Sequence, residues 1–148
     1  MLGERKYYLV NLANLSSVKE EEIGRLGVIL KDLLHEKINI PFGFLITTQS
    51  FDDFLLANDL VDYIAPRIND MDYNDIDNIR KNTGEIQRAI KNGQMPDLIY
   101  EPISKAYGGL SGFTQANVSL KVSLNNEELS KSLSGSVLQK ENVYGLEN

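Results

Sequence analysis

The sequence predicts a mixed α/β (α+β) fold, a small sheet packed by about four helices. Leucine and isoleucine recur at helical spacing in two separated stretches, and one later segment alternates strictly between apolar and polar residues. Glycine, proline and asparagine punctuate the chain between them. At 148 residues, with 42% apolar and 24% charged residues, the chain is sized for one domain over 1–148 with a sizeable core. No internal repeat and no low-complexity linker divides it.

The elements follow in order. Residues Lys6 to Leu12 (KYYLVNL) are aromatic and β-branched enough for a short strand. Asn14-Leu15-Ser16-Ser17 supplies turn and cap residues, and Lys19-Glu20-Glu21-Glu22 opens a helix with acid at its positive end. Ile23, Leu26, Leu30, Leu33 and Leu34 carry that helix over about 19–36, where His35 places a favourable charge at the negative end. Gly24 and Gly27 sit in its first turns, where glycine costs about 1 kcal/mol relative to alanine, so a packing or functional reason is expected. Pro41 and Gly43 bracket a turn before a strand near 43–47. Thr48 or Ser50 caps a helix over 50–64, with Phe51, Phe54, Leu55, Val61 and Ile64 inward. Ile76, Ile79, Ile86 and Ile90 line up with Thr83 on a helix over 74–91, stopped by Asn92-Gly93. A fourth helix covers about 97–108, with Pro102 either kinking it or marking its first turn. Gly108 to Gly112 reads as a flexible break. In the strand over 117–124, Val118, Leu120, Val122 and Leu124 alternate with Asn117, Ser119, Lys121 and Ser123. The sheet is expected to join the segments near 6–12, 43–47 and 117–124. The remainder of 111–148 is serine-rich and weakly patterned.

Composition excludes several chemistries. With no cysteine there is no disulfide scaffold, thiolate zinc site or cysteine nucleophile, and a single histidine leaves no histidine-rich metal centre. No apolar run approaches the roughly 18 residues that span a bilayer, and nothing of signal-peptide type follows Met1, so the expected setting is the cytoplasm, with no membrane partner. Between Asp52 and Arg80, eight aspartates and two arginines account for the whole net charge of −6. Such a patch repels phosphate backbones, so no nucleic-acid partner is expected; it reads as a solvated helical face. Asp70-Met71-Asp72-Tyr73-Asn74 begins like a calcium loop, but the glycine position holds Asp75 and the twelfth holds Lys81. No phosphate-binding P-loop pattern and no G-x-G-x-x-G after a strand occurs.

The order of weaker signals is more specific. The glycine-containing helix, then Ile38-Asn39-Ile40-Pro41-Phe42-Gly43-Phe44-Leu45-Ile46-Thr47-Thr48, then a helix beginning near Phe51 resembles the amino-terminal nucleotide-binding domain of phosphoenolpyruvate synthase and pyruvate phosphate dikinase. That family reads approximately GGKGANLGEML and then GIPVPPGFxxTTxAYxxFL. The likeness continues through Ile86 to Ile90, Met95 to Leu98 and Ile103 to Tyr107. It reaches the family's strand VAVRSSATAEDL at Val118 to Leu129, and its SFAG loop at Ser132 to Gly135. It spans roughly residues 20 to 145.

The resemblance implies an ATP-grasp fold that transfers phosphoryl groups from ATP toward a swivelling phosphohistidine domain, with this chain matching about the first half of the ATP-binding domain. ATP and Mg²⁺ are the cofactors it implies. The nucleotide and the remainder of a larger phosphotransferase, or a partner chain, are its partners. It places phosphate binding at Lys121, Gly24, Arg25, Ser123, Ser134 and Gly135, with Glu127 and Glu128 as polar contacts at the family's acidic pair. His35 matches no family histidine, and no catalytic residue or metal ligand is assigned. The departures fall on the same positions. The family's phosphate-binding lysine falls at Leu26, beside Arg25; its strand arginine falls at Lys121, which keeps the charge but loses the bidentate fork. Its paired serines become Val122-Ser123, and Ser136-Val137 replaces the glutamines after the loop. Two functional readings therefore stand: the ATP-binding portion of a dikinase-like phosphotransferase, inactive alone, or a degenerate module of the same family that binds a ligand or partner without catalysis. A plain α+β domain, its glycines and serines serving turns only, stands beside them.

Overall fold

The computed structural model describes residues 7–111, 117–123 and 139–143. Its strands are β1 (Leu9–Asn11), β2 (Phe44–Ile46), β3 (Val118–Lys121) and β4 (Gln139–Val143). Its α-helices are α1 (Glu20–His35), α2 (Thr48–Ala57), α3 (Leu60–Asn69), α4 (Ile76–Asn92) and α5 (Asp97–Ser111), and a 3-10 helix covers Leu12–Ser17. The α+β class holds, but the sheet is not the expected three-stranded one. β1 and β2 pair antiparallel, with Val10 opposite Leu45. β3 pairs instead with β4, Lys121 opposite Gln139, through an irregular register between Val118 and Leu120. The segment read as weakly patterned thus supplies a strand.

Two apolar clusters hold the helices. In the first, Val10, Leu15, Val18 and Ile23 are buried beneath Leu12, Val28, Leu30, Leu34 and Leu45. Leu15 is fully inaccessible because the 3-10 helix, capped where the Ala13 N–H donates to the Asn11 side chain at 3.0 Å, turns it inward. In the second, Phe54, Leu60 and Ile99 are buried against Tyr8, Leu55, Ile64, Ala89, Ile90 and Ile103. The buried hydroxyls between β1 and α2 are satisfied: Thr47 donates to the Tyr7 carbonyl and Ser50 to the Tyr8 carbonyl at 2.7 Å. Tyr8 and Gln49 both donate to the Asp53 carboxylate at 2.8 Å, which fixes the roll of α2 on β1.

Several expected elements change shape. The helix over 50–64 is two helices, because Asp59 adopts the left-handed conformation (φ 55°) and ends the first. Asn58 then acts as a clamp, its amide donating to the Phe54 and Gln94 carbonyls and accepting from the Gln94 N–H at 2.7 Å. Phe51 and Val61, expected inward, are about half exposed: each lies one residue, about 100° round its helix, past a buried position, Ser50 on α2 and Leu60 on α3. On α4, Ile79, Ile86 and Ile90 are half-buried, whereas Ile76 is exposed and so is Thr83, whose hydroxyl donates to the Ile79 carbonyl. α5 continues through Pro102, which is neither its start nor its end, and through Gly108 and Gly109, so no break interrupts it there. The acidic run before α4 serves turns and caps: Asp75 accepts from the Asp77 and Asn78 N–H groups, and Asp72 from that of Asn74.

Candidate functional site

The glycines of α1 have two different reasons. Gly24 sits at φ 62°, ψ 172°, a conformation almost confined to glycine, and it breaks the helix so that a second segment restarts at Arg25. The expected continuous helix over 19–36 is therefore kinked. A Cβ on Gly27 would lie 2.7 Å from the Ile23 Cβ and 2.9 Å from the Leu45 Cδ1, so glycine permits the close approach of α1 to β2. The restart matters chemically. The first amides of a helix have no partner in the helix itself and form its positive end.

One of those amides is taken by a residue far along the chain. The Leu26 N–H donates to the Ser123 Oγ at 2.8 Å, across 97 positions of sequence. The start of the second α1 segment is thus capped by a hydroxyl from just beyond β3. Ser123 is half-buried, Gly24 is buried, and Arg25 and Lys121 are exposed. Lys121 closes β3 two residues before Ser123, so their Cα atoms lie within about 7 Å of one another.

Of the site residues the sequence suggests, the structure therefore brings Gly24, Arg25 and Ser123 to one place, with Lys121 beside them. Ser134, Gly135, Glu127 and Glu128 lie outside the described residues. Sequence reasoning missed the Leu26 backbone amide. The side chain of Leu26 carries no charge, yet its N–H is the group that meets Ser123, just beyond β3. The signal was Gly24 itself, an expensive residue early in a helix, which marks a break and hence free amides. The arrangement provides backbone donors at a positive helix start, with cations on two elements beside it. That is chemistry suited to an anion.

The family described as the pyruvate phosphate dikinase AMP/ATP-binding domain matches residues 19–144. The chain is similar to phosphoenolpyruvate synthase of Pseudomonas aeruginosa, 26% identical over 147 residues that cover 95% of this chain and 19% of that protein. It is similar to a probable phosphoenolpyruvate synthase of Methanocaldococcus jannaschii, 25% identical over 99% of the chain and 13% of that protein. It also resembles phosphoenolpyruvate synthase of Aquifex aeolicus, 27% identical over 83% of the chain and 15% of that protein. The chain thus spans less than a fifth of the length of these relatives. With the family match covering most of its length, including both the Gly24 break and β3, the chain belongs to the pyruvate phosphate dikinase AMP/ATP-binding domain family.

Proposed function

We propose that the chain forms the first part of a nucleotide site in a dikinase-like phosphotransferase, binding ATP or AMP phosphates between the start of the second α1 segment and β3. The observation that carries this reading is the hydrogen bond from the Leu26 N–H to Ser123, since it joins the two family segments that bear the phosphate-binding positions. Arg25 and Lys121 supply positive charge, the amides after Gly24 supply directed donors, and the Ser132 to Ser136 loop supplies small residues for close approach. Among the described residues no group of carboxylates and histidine is placed to hold a metal. Mg²⁺ belongs to this reading as the ion that travels with the triphosphate, with Glu127 and Glu128 as the polar residues nearest that role. The cytoplasm, where ATP is abundant, is the matching setting, and among the described residues no helix is long and apolar enough to cross a membrane.

Phosphoryl transfer is assigned to a larger assembly, either the remainder of a longer enzyme or a partner chain. The second reading, a module that binds without catalysis, rests on one observation: the family's lysine position is Leu26, half-buried and uncharged. Titration of isotope-labelled protein with Mg-ATP and with AMP, followed by amide shifts, tests the site. The expected result is saturable shifts at Gly24, Arg25, Leu26 and Lys121. Shifts confined to the acidic stretch 52–80 overturn it.

A further inference from the structure

We infer that Ser123 is a positioning residue for phosphate binding: by capping the Leu26 amide it holds β3, and with it Lys121, against the start of the second α1 segment. The inference rests on the nucleotide reading above and adds a role that the resemblance does not give, in which Ser123 acts on the anion through Lys121 rather than by touching it. Three observations support it. The Ser123 oxygen is already engaged, accepting from Leu26 at 2.8 Å. β3 is largely open to solvent, since Val118 is half-buried while Ser119, Leu120 and Lys121 are exposed, and its pairing partner among the described residues is β4. Lys121 lies at the end of that strand, two residues from the cap, so its distance from Arg25 depends on where Ser123 is fixed.

A strand attached to the body by a short polar contact has a position that the contact decides. Without the hydroxyl, the Leu26 N–H reverts to water and β3 loses this tie to α1, so Lys121 samples a wider volume and its charge is diluted at the phosphate position. The apolar clusters contain neither Ser123 nor any β3 residue, and they are expected to be unaffected.

The experiment compares affinities of the full chain for Mg-ATP and for adenosine, in wild type and in Ser123→Ala, Ser123→Thr, Lys121→Ala and the Ser123→Ala/Lys121→Ala double variant. Ser123→Ala is expected to weaken Mg-ATP binding by about three- to thirty-fold, the range that loss of a helix cap implies, and adenosine binding by less than about twofold. Ser123→Thr restores Mg-ATP binding. In the Lys121→Ala background, removing the serine has no further effect beyond about twofold, because the two act as one unit. Equal loss for adenosine and Mg-ATP overturns the proposal in favour of a general structural role. Full additivity of the two substitutions overturns it in favour of direct contact between Ser123 and phosphate. Unchanged Mg-ATP affinity in Ser123→Ala, with faster hydrogen exchange at the Leu26 amide, removes the positioning role and leaves the nucleotide reading standing. A wild-type chain with no saturable binding of Mg-ATP or AMP removes both.

Discussion

Gly24 and Gly27 show how two identical residues three positions apart answer to different physics. At Gly24 the constraint is the backbone, held at φ 62° and ψ 172°, where a Cβ collides with its own chain. Gly24→Ala is expected to destabilise by about 1–3 kcal/mol and to loosen the Leu26 amide. At Gly27 the constraint is space, since an added methyl would sit 2.9 Å from the Leu45 side chain. Gly27→Ala is expected to cost about 1–3 kcal/mol by overpacking, with the Leu26 to Ser123 bond kept. Urea unfolding measures both costs, and hydrogen exchange at Leu26 separates them; equal protection in the two variants would contradict the distinction. Ile99, 2% exposed in the second cluster, is the simple core case. Ile99→Ala is expected to cost about 2–5 kcal/mol in the same assay.

At the scale of elements, α4 is the most amphipathic helix in pattern yet buries none of its residues fully. Its inner face rests partly on α3, where the Arg67 Nε meets Glu85 at 3.2 Å and the guanidinium lies 3.4 Å over the Tyr63 ring. Ile79→Asp is therefore expected to cost about 1–3 kcal/mol, less than a charge placed at a fully buried site such as Ile99. An unchanged melting temperature would show that the Ile79 stripe carries no packing. The helix existences and the strands β1, β2 and β3 were legible because periodicity is a local property of Leu26-Leu30-Leu33 or Val118-Leu120-Val122. What was not legible depended on partners distant in sequence. The split at Asp59 is held by Asn58 reaching to Gln94, and the β3 to β4 pairing needs Gln139–Val143, a charged stretch without strand alternation. Most residues of the candidate site were readable from residue type and order, namely Gly24, Arg25, Lys121 and Ser123. The cap on Leu26 was not, because a backbone donor leaves no trace in side-chain chemistry.

For the whole molecule, the charge is unevenly distributed: the acidic stretch 52–80 holds the net −6 and the proposed phosphate-binding positions lie outside it. The affinity of the proposed site for Mg-ATP is expected to fall as salt screens Arg25 and Lys121. The purified chain is expected to show no measurable phosphoryl transfer, since Leu26 withdraws one cation from the phosphates and each such group contributes several kcal/mol to transition-state stabilisation. Steady ATP hydrolysis that Lys121→Ala abolishes would contradict this.

The span of 97 positions between Leu26 and Ser123 has a consequence for the order of assembly during synthesis. Among the described residues both apolar clusters draw on positions up to Ile103, so that part of the core can form while the ribosome is still adding the following segment. At about 5–20 residues per second, Ser123 follows Ile103 by roughly one to four seconds, and until then the second α1 segment waits with its first amides open to water. A chain stopped after Ser111 is accordingly expected to fold its helices cooperatively, with fast hydrogen exchange at Leu26 and no nucleotide shifts there. Slow exchange at Leu26 in that shortened chain would show that something nearer in sequence caps it.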